Sequence, residues 1–217
     1  MNITIFVADD HAVVRDGLRF LLEAQDDLRV IGDAADGRSA VQLVEQLRPN
    51  VAIVDIAMPV LNGIEATRQI CETCADVKVI ILSMHSTSEH VFRALQAGAV
   101  GYLLKESAGV EVVNAVRAVH RGHRYLSQKI SDQVIENYAR QRGAARTTGP
   151  LDRLTPRERE VLQLVVEGKT SAQIAEILSL SRKTVETYRS RLMRKLDIDD
   201  LPSLVKFAIQ HGLTPLE

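Results

Sequence analysis

The chain has 217 residues, 46% of them hydrophobic, with 27 Lys and Arg against 28 Asp and Glu, a formal net charge of −1. That is long and apolar enough for one large domain or two ordinary ones, and it excludes disorder throughout. No apolar run approaches the roughly 18 residues of a membrane span, and the N-terminus lacks the basic-then-apolar order of a signal peptide, so a cytoplasmic protein without membrane contact is expected.

Up to about residue 122, short apolar runs alternate with longer amphipathic ones, the pattern of a parallel sheet with crossover helices. The runs at residues 3–8, 29–34, 51–56, 77–82 and 101–104 predict five strands, and helical spacing predicts helices near 12–23, 38–47, 63–71, 88–97 and 109–121. Cys71 and Cys74 form a lone C-x-x-C after the third helical stretch; without a second pair to complete a zinc site they read as free thiols. Residues 121–142 suggest a further helix and connection, and GAARTTGP, residues 143–150, has the composition of a flexible linker. The predicted division is residues 1–122, a connection over 123–150, and a second domain over 151–217.

That second domain reads as four helices. Thr155-Pro156 with Glu158 at the third position predicts a capped start to a helix ending near residue 166, where Gly168 stops it. Ser171 is the expected cap of a short helix to about 178, and Ser181 that of a third over 182–196. A fourth follows over about 201–211. Residues 182–195 hold six basic side chains against Glu186 alone, whereas residues 1–120 carry 10 basic and 16 acidic ones, so the positive charge gathers on one helix of the second domain.

The stretch IFVADDH, residues 5–11, ends its apolar run on two adjacent aspartates. One N-cap for the following helix explains one of them, so the second needs another role. Residues 53–63, IVDIAMPVLNG, repeat the arrangement: a buried strand ends on Asp55, and the spacing D-x-x-M-P-x-x-x-G gives its carboxylate an exposed loop. In open α/β sheets, ligands bind beyond the carboxyl ends of adjacent strands, so Asp9, Asp10 and Asp55 are expected in one crevice. Three carboxylates repel one another, and a hard divalent cation such as Mg²⁺ relieves them at least cost. Ser83 and Lys105 end two later strands and add a hydroxyl and an ammonium. The set suits a phosphoryl group, whose transfer demands charge neutralisation and in-line positioning more than acid-base chemistry.

In order and at strand ends, these five residues resemble the receiver domain of two-component response regulators. The resemblance implies a five-stranded, doubly wound, flavodoxin-like sheet in which Asp55 is the phosphoacceptor. Asp10 with Asp9 and Asp55 would hold Mg²⁺, with the carbonyl of Ala57 as a backbone ligand. Lys105 and Ser83 would bond phosphoryl oxygens, and Tyr102 would be the aromatic that turns inward when that hydroxyl moves.

The string TPREREVLQLVVEGKTSAQIAEILSLSRKTVETYRSRLMRKL, residues 155–196, buries one apolar face of each helix and leaves cations and polar side chains on the third. It resembles the LuxR-type helix-turn-helix DNA-binding domain, and the whole chain resembles the NarL/FixJ class of response regulators. By that resemblance Lys183, Thr184, Glu186, Thr187, Ser190 and Arg191 are candidate DNA contacts. The implied function is a phosphorylation-controlled, DNA-binding transcription regulator that receives its phosphoryl group from a cognate sensor histidine kinase. The alternatives are a DNA-binding regulator whose receiver is not a phosphoswitch, or a phosphohydrolase. No enzyme is expected, since the chain lacks a Gly-rich nucleotide loop and any general base beyond the aspartates.

One helix-turn-helix reads only a few base pairs, so a phosphorylated homodimer on symmetric half-sites of double-stranded DNA is expected. Leu201, Leu204, Val205 and Ala208 form an apolar stripe that either pairs across a two-fold axis or packs within the domain.

Overall fold

A computed structural model describes residues 2–132, 134 and 150–213. The first part runs β1 (Ile3–Ala8), α1 (Ala12–Glu23), β2 (Leu28–Ala34), α2 (Gly37–Leu47), β3 (Val51–Asp55), α3 (Gly63–Thr73), β4 (Lys78–Ser83), α4 (Ser88–Gln96), β5 (Gly101–Leu104), α5 (Ala108–His120) and β6 (Tyr125–Leu126). All pairings are parallel, in the order β2-β1-β3-β4-β5-β6.

The sheet therefore has six strands where five were predicted. The extra one is two residues long, too short for any periodicity to show, and it pairs Gly101 with Tyr125 and Tyr102 with Leu126. A helical segment, α6, begins at residue 128 and is described over 128–132. The predicted linker, residues 143–150, lies outside the described residues except for Pro150.

Alternate residues of each strand feed opposite cores, because successive side chains point to opposite faces. Phe6, Ala8, Ala52 and Val54 join α2, α3 and α4 on one face. Ile5, Val7, Val51 and Ile53 join α1 and α5 on the other. With helices on both faces the central strands β1, β3, β4 and β5 are mostly apolar and buried, which is why they lack alternation in the sequence.

A 3₁₀ turn (Pro150–Arg153) leads to α7 (Pro156–Val166), α8 (Ser171–Ile177), α9 (Arg182–Leu196) and α10 (Leu201–Gln210), which enclose a third core around Leu162, Ile174, Val185, Leu192 and Leu204. The Thr155 capping box with Glu158 forms as predicted, and Ser181 caps α9 through the Thr184 amide. The cap of α8 is Thr170, boxed with Gln173, not Ser171. Both hydroxyls suit the role; Gln173 sits three residues after Thr170 and so can close the reciprocal pair.

Candidate functional site

The sheet order turns at β1, which has β2 on one side and β3 on the other. Ligand crevices of doubly wound sheets open beyond the strand ends at such a point. Ala8 of β1 pairs with Val54 of β3, so Asp9 and Asp55 stand side by side past the paired ends. Both are buried. The α1 N-cap is His11, and neither aspartate caps that helix; Asp9 accepts the His11 amide instead, at 2.9 Å. Both members of the adjacent pair are thereby left to the crevice.

Lys105 places Nζ 2.8 Å from Asp9 Oδ2 and 3.0 Å from Asp55 Oδ2. His11 Nδ1 lies 2.6 Å from Asp10 Oδ1 and 3.2 Å from Asp9 Oδ1. Burial pushes the Asp55 carboxyl up to about 6; Lys105 pulls against that rise, and Asp9 and Asp10 add to it. For Lys105, burial opposes the ammonium, yet Asp55 and Asp9 hold its pKa above the ordinary value. Asp9 Oδ2, Asp10 Oδ1 and Asp55 Oδ2 are buried and, among the described residues, make no regular hydrogen bond, only these ionic contacts. The Lys105 ammonium thus meets two of the three clustered carboxylates, and ligand atoms of Asp9, Asp10, His11 and Asp55 all lie within 4.8 Å of one another. The donor set fits a hard cation.

Ser83 and Tyr102 meet at one residue. Ser83 Oγ accepts the His85 amide at 2.9 Å, and the Tyr102 hydroxyl donates to the His85 carbonyl at 2.7 Å. Tyr102 is fully buried, and burial pushes its phenol up to about 12, against the pull of Ser83 and with a contribution from Asp55. The His85 ring stacks on His90 of α4, centroids 4.6 Å apart.

On α9, Lys183, Glu186, Thr187, Ser190 and Arg191 are exposed together, while Thr184 is half-buried and its hydroxyl meets Ser181. Arg182 pairs with Glu186, and the Thr187 hydroxyl donates to the Lys183 carbonyl. The α10 stripe divides. Leu204 and Ala208 are 1% and 0% exposed and belong to the core of their own domain, so they are not available to a partner copy. Leu201, Val205 and Ile209 line a shallow outward groove instead.

Comparison with known proteins matches residues 5–117 to the response regulator receiver domain and residues 152–208 to the bacterial regulatory proteins of the luxR family. The chain belongs to the response regulators. It is 40% identical over 212 residues to the oxygen regulatory protein NreC of Staphylococcus carnosus, covering 96% of this chain and 98% of that protein. It is 39% identical over 211 residues to the transcriptional regulatory protein LiaR of Bacillus subtilis, covering 97% and 99%. Among solved structures, RcsB of Salmonella typhimurium aligns over 99% of both chains with a TM-score of 0.67 at 26% identity. An RcsB–DNA complex aligns over 95% of this chain and 98% of that one, with a TM-score of 0.59 at 26% identity. This response regulator therefore carries a LuxR-type DNA-binding domain, and its relatives are transcription regulators. No described helix is long and apolar enough to cross a membrane.

The response regulator also has a seam between its two domains that sequence reasoning missed. Helix α7 buries Glu158, Arg159, Glu160 and Gln163 along with its apolar residues. Arg159 pairs with Glu65 at 2.5 Å, Glu160 meets Arg38 and Gln69, and His211 meets Glu89. Gln163 and Glu167 bond the loop that follows Asp55. Read alone, the polar residues of α7 look like a solvated face, and nothing in the chain marks partners some 100 positions away.

Proposed function

We propose that this response regulator is a phosphorylation-controlled DNA-binding transcription regulator in which Asp55 accepts a phosphoryl group from a cognate sensor histidine kinase. Residues 1–122 serve as the receiver, 123–150 as the connection and 151–217 as the DNA-binding domain. The observation that carries this reading is the convergence of Asp9, Asp10, Asp55 and Lys105 in one buried crevice, with Ser83 at the neighbouring strand end.

An Asp55 carboxylate oxygen attacks phosphorus in line as the bond from phosphorus to the donor's histidine nitrogen breaks; the imidazole keeps the bonding electron pair and, carrying a proton on its other ring nitrogen, leaves neutral. The product is an acyl phosphate. Asp10, Asp9 and Asp55, with the carbonyl of Ala57, would hold Mg²⁺, which supplies neutralisation of the phosphoryl oxygens. Lys105, which bridges Asp9 and Asp55, is placed to turn to a phosphoryl oxygen. Ser83 would bond another oxygen at the expense of the His85 amide, and Tyr102, bonded to the same residue, would register the change.

The output is binding of a homodimer to symmetric half-sites of double-stranded DNA through Lys183, Glu186, Thr187, Ser190 and Arg191, in the cytoplasm and without multiple-turnover chemistry. Exposed cations beside hydrogen-bonding side chains support it, since phosphates are held by the former and base edges by the latter. The test is incubation with acetyl phosphate and Mg²⁺: label accumulates to one equivalent in wild type and is lost in Asp55→Asn, whose amide is a poor nucleophile. Undiminished labelling of the variant overturns the assignment.

A further inference from the structure

The loop from Ile56 to Asn62 joins the end of β3, where Asp55 stands, to the start of α3. Within it, three backbone groups are held by helix α7 of the other domain. Gln163 Nε2 donates to the Met58 carbonyl at 2.9 Å, and Gln163 Oε1 accepts from the Asn62 amide at 2.7 Å and from the Asn62 side chain at 3.1 Å. Glu167 accepts from the Val60 amide at 3.1 Å, and Gln163 also donates to Glu167 at 2.9 Å, which joins the two side chains in one network. Gln163 is completely buried.

Val60 shows what these bonds do. Its φ is +67°, rare for a β-branched residue, in a tight turn that the Leu61 amide closes on the Pro59 carbonyl at 2.7 Å. The Val60 amide goes to Glu167 and its side chain packs against the apolar core of the DNA-binding domain. This turn of the receiver is therefore braced from the DNA-binding domain as well as by its own hydrogen bond.

We infer that Gln163 and Glu167 are positioning residues of the phosphoryl site: from the DNA-binding domain, they pre-order the loop that presents the Ala57 carbonyl to the cation held by Asp10 and Asp55. The inference rests on the cation site described above. The peptide that Gln163 grips directly follows the one that carries the Ala57 carbonyl. With α7 bound, the Met58 carbonyl and the Val60 and Asn62 amides are held and the loop enters the cation complex already ordered; without it, those groups lose these partners and the cation must order them at a cost in affinity. Coupling between two binding events is reciprocal, so cation binding must in turn tighten the seam between the domains.

The test uses the full chain. Calorimetric Mg²⁺ titration is compared for wild type, Gln163→Met, which keeps the volume and loses every hydrogen bond, and Gln163→Glu, which keeps the acceptor toward Asn62, loses the donors toward Met58 and Glu167 and buries a carboxylate beside Glu167. Gln163→Met is expected to weaken Mg²⁺ binding about tenfold, the scale of one buried hydrogen bond, and Gln163→Glu at least as much, since its carboxylate is buried against Glu167. In acetyl phosphate labelling, the half-saturating Mg²⁺ concentration shifts by the same factor while the maximal label at saturating Mg²⁺ is kept. In wild type, Mg²⁺ slows proteolysis between the domains, and in Gln163→Met it does not. Unchanged or tighter Mg²⁺ binding in a folded Gln163→Met protein overturns the inference. Should Gln163→Met fail to fold, unchanged Mg²⁺ affinity in Gln163→Glu overturns it equally. A wild-type chain that binds Mg²⁺ in a Gln163-dependent way yet takes no label would sink the phosphoacceptor reading and leave this one standing.

Discussion

Arg159 of the DNA-binding domain and Glu65 of the receiver, 94 positions apart in the chain, form an ion pair at 2.5 Å with both side chains buried. The guanidinium also donates to the Leu154 carbonyl at 2.7 Å, so it is anchored to its own domain and offers its remaining donors across the seam. Removing one member of a buried pair strands the other charge, a loss of about 3–5 kcal/mol, whereas replacing both with apolar residues is often neutral. Glu65→Ala is therefore expected to lower the melting temperature by several degrees and to expose the connection between the domains to protease. Glu65→Leu combined with Arg159→Met is expected to recover most of the loss. Wild-type melting of Glu65→Ala would show that the pair contributes nothing to the seam.

Asp55 sets a pH dependence of stability. Its carboxyl is raised to about 6 by burial, with Lys105 only partly offsetting this, against an ordinary value of 3.8. A raised carboxyl favours the protonated form in the folded chain. Its stabilising contribution is thus full below about 3.8 and is lost as pH rises through about 6. Above that window the ionised group costs up to about 3 kcal/mol. Asp55→Asn, which removes the charge, is expected to raise thermal stability at pH 7.5 and to change it little at pH 4. A divalent cation should raise wild-type stability at pH 7.5 and give less at pH 5, where protons compete for the carboxylate. Equal stabilisation by Asp55→Asn at both pH values would contradict this electrostatic account.

The outward groove of α10 gives a test of assembly. Leu201, Val205 and Ile209 line it, while Leu204 and Ala208 face the domain core. Val205→Glu should leave the melting temperature within about 1 °C, since half-buried and exposed positions away from the core tolerate substitution. Binding to DNA with two half-sites should weaken at least tenfold, and binding to one half-site should persist. Unchanged affinity for the two-half-site DNA would exclude this groove as the contact between copies.

What the sequence made legible was local. Buried strands ending on Asp9, Asp55 and Ser83 can be read because the apolar run and its polar terminus are contiguous, and Thr155 with Glu158 announces a helix start within four residues. What stayed hidden depends on partners distant in the chain or on choices that periodicity leaves degenerate. A stripe with spacings of three and four on α10 is compatible with two adjacent faces, and only packing decides that Leu204 and Ala208 go inward. Val60 carries no mark of its left-handed backbone, since valine is the residue a sequence reader would least expect there. Gln163 carries no mark in the chain of its partners Met58 and Asn62, which lie in the other domain.

The short sixth strand bears on how this protein can be taken apart. Tyr125 and Leu126 hydrogen-bond to the open side of β5, the Ser127 amide reaches the Tyr102 carbonyl at 2.9 Å, and Ile130 is fully buried in the receiver core. A receiver severed at residue 122 would lose this selvage and present Gly101 and Tyr102 as a raw margin, inviting chains to zip together. The same stitching ties the segment that leads toward the second domain to the strand that holds Tyr102 and leads into Lys105.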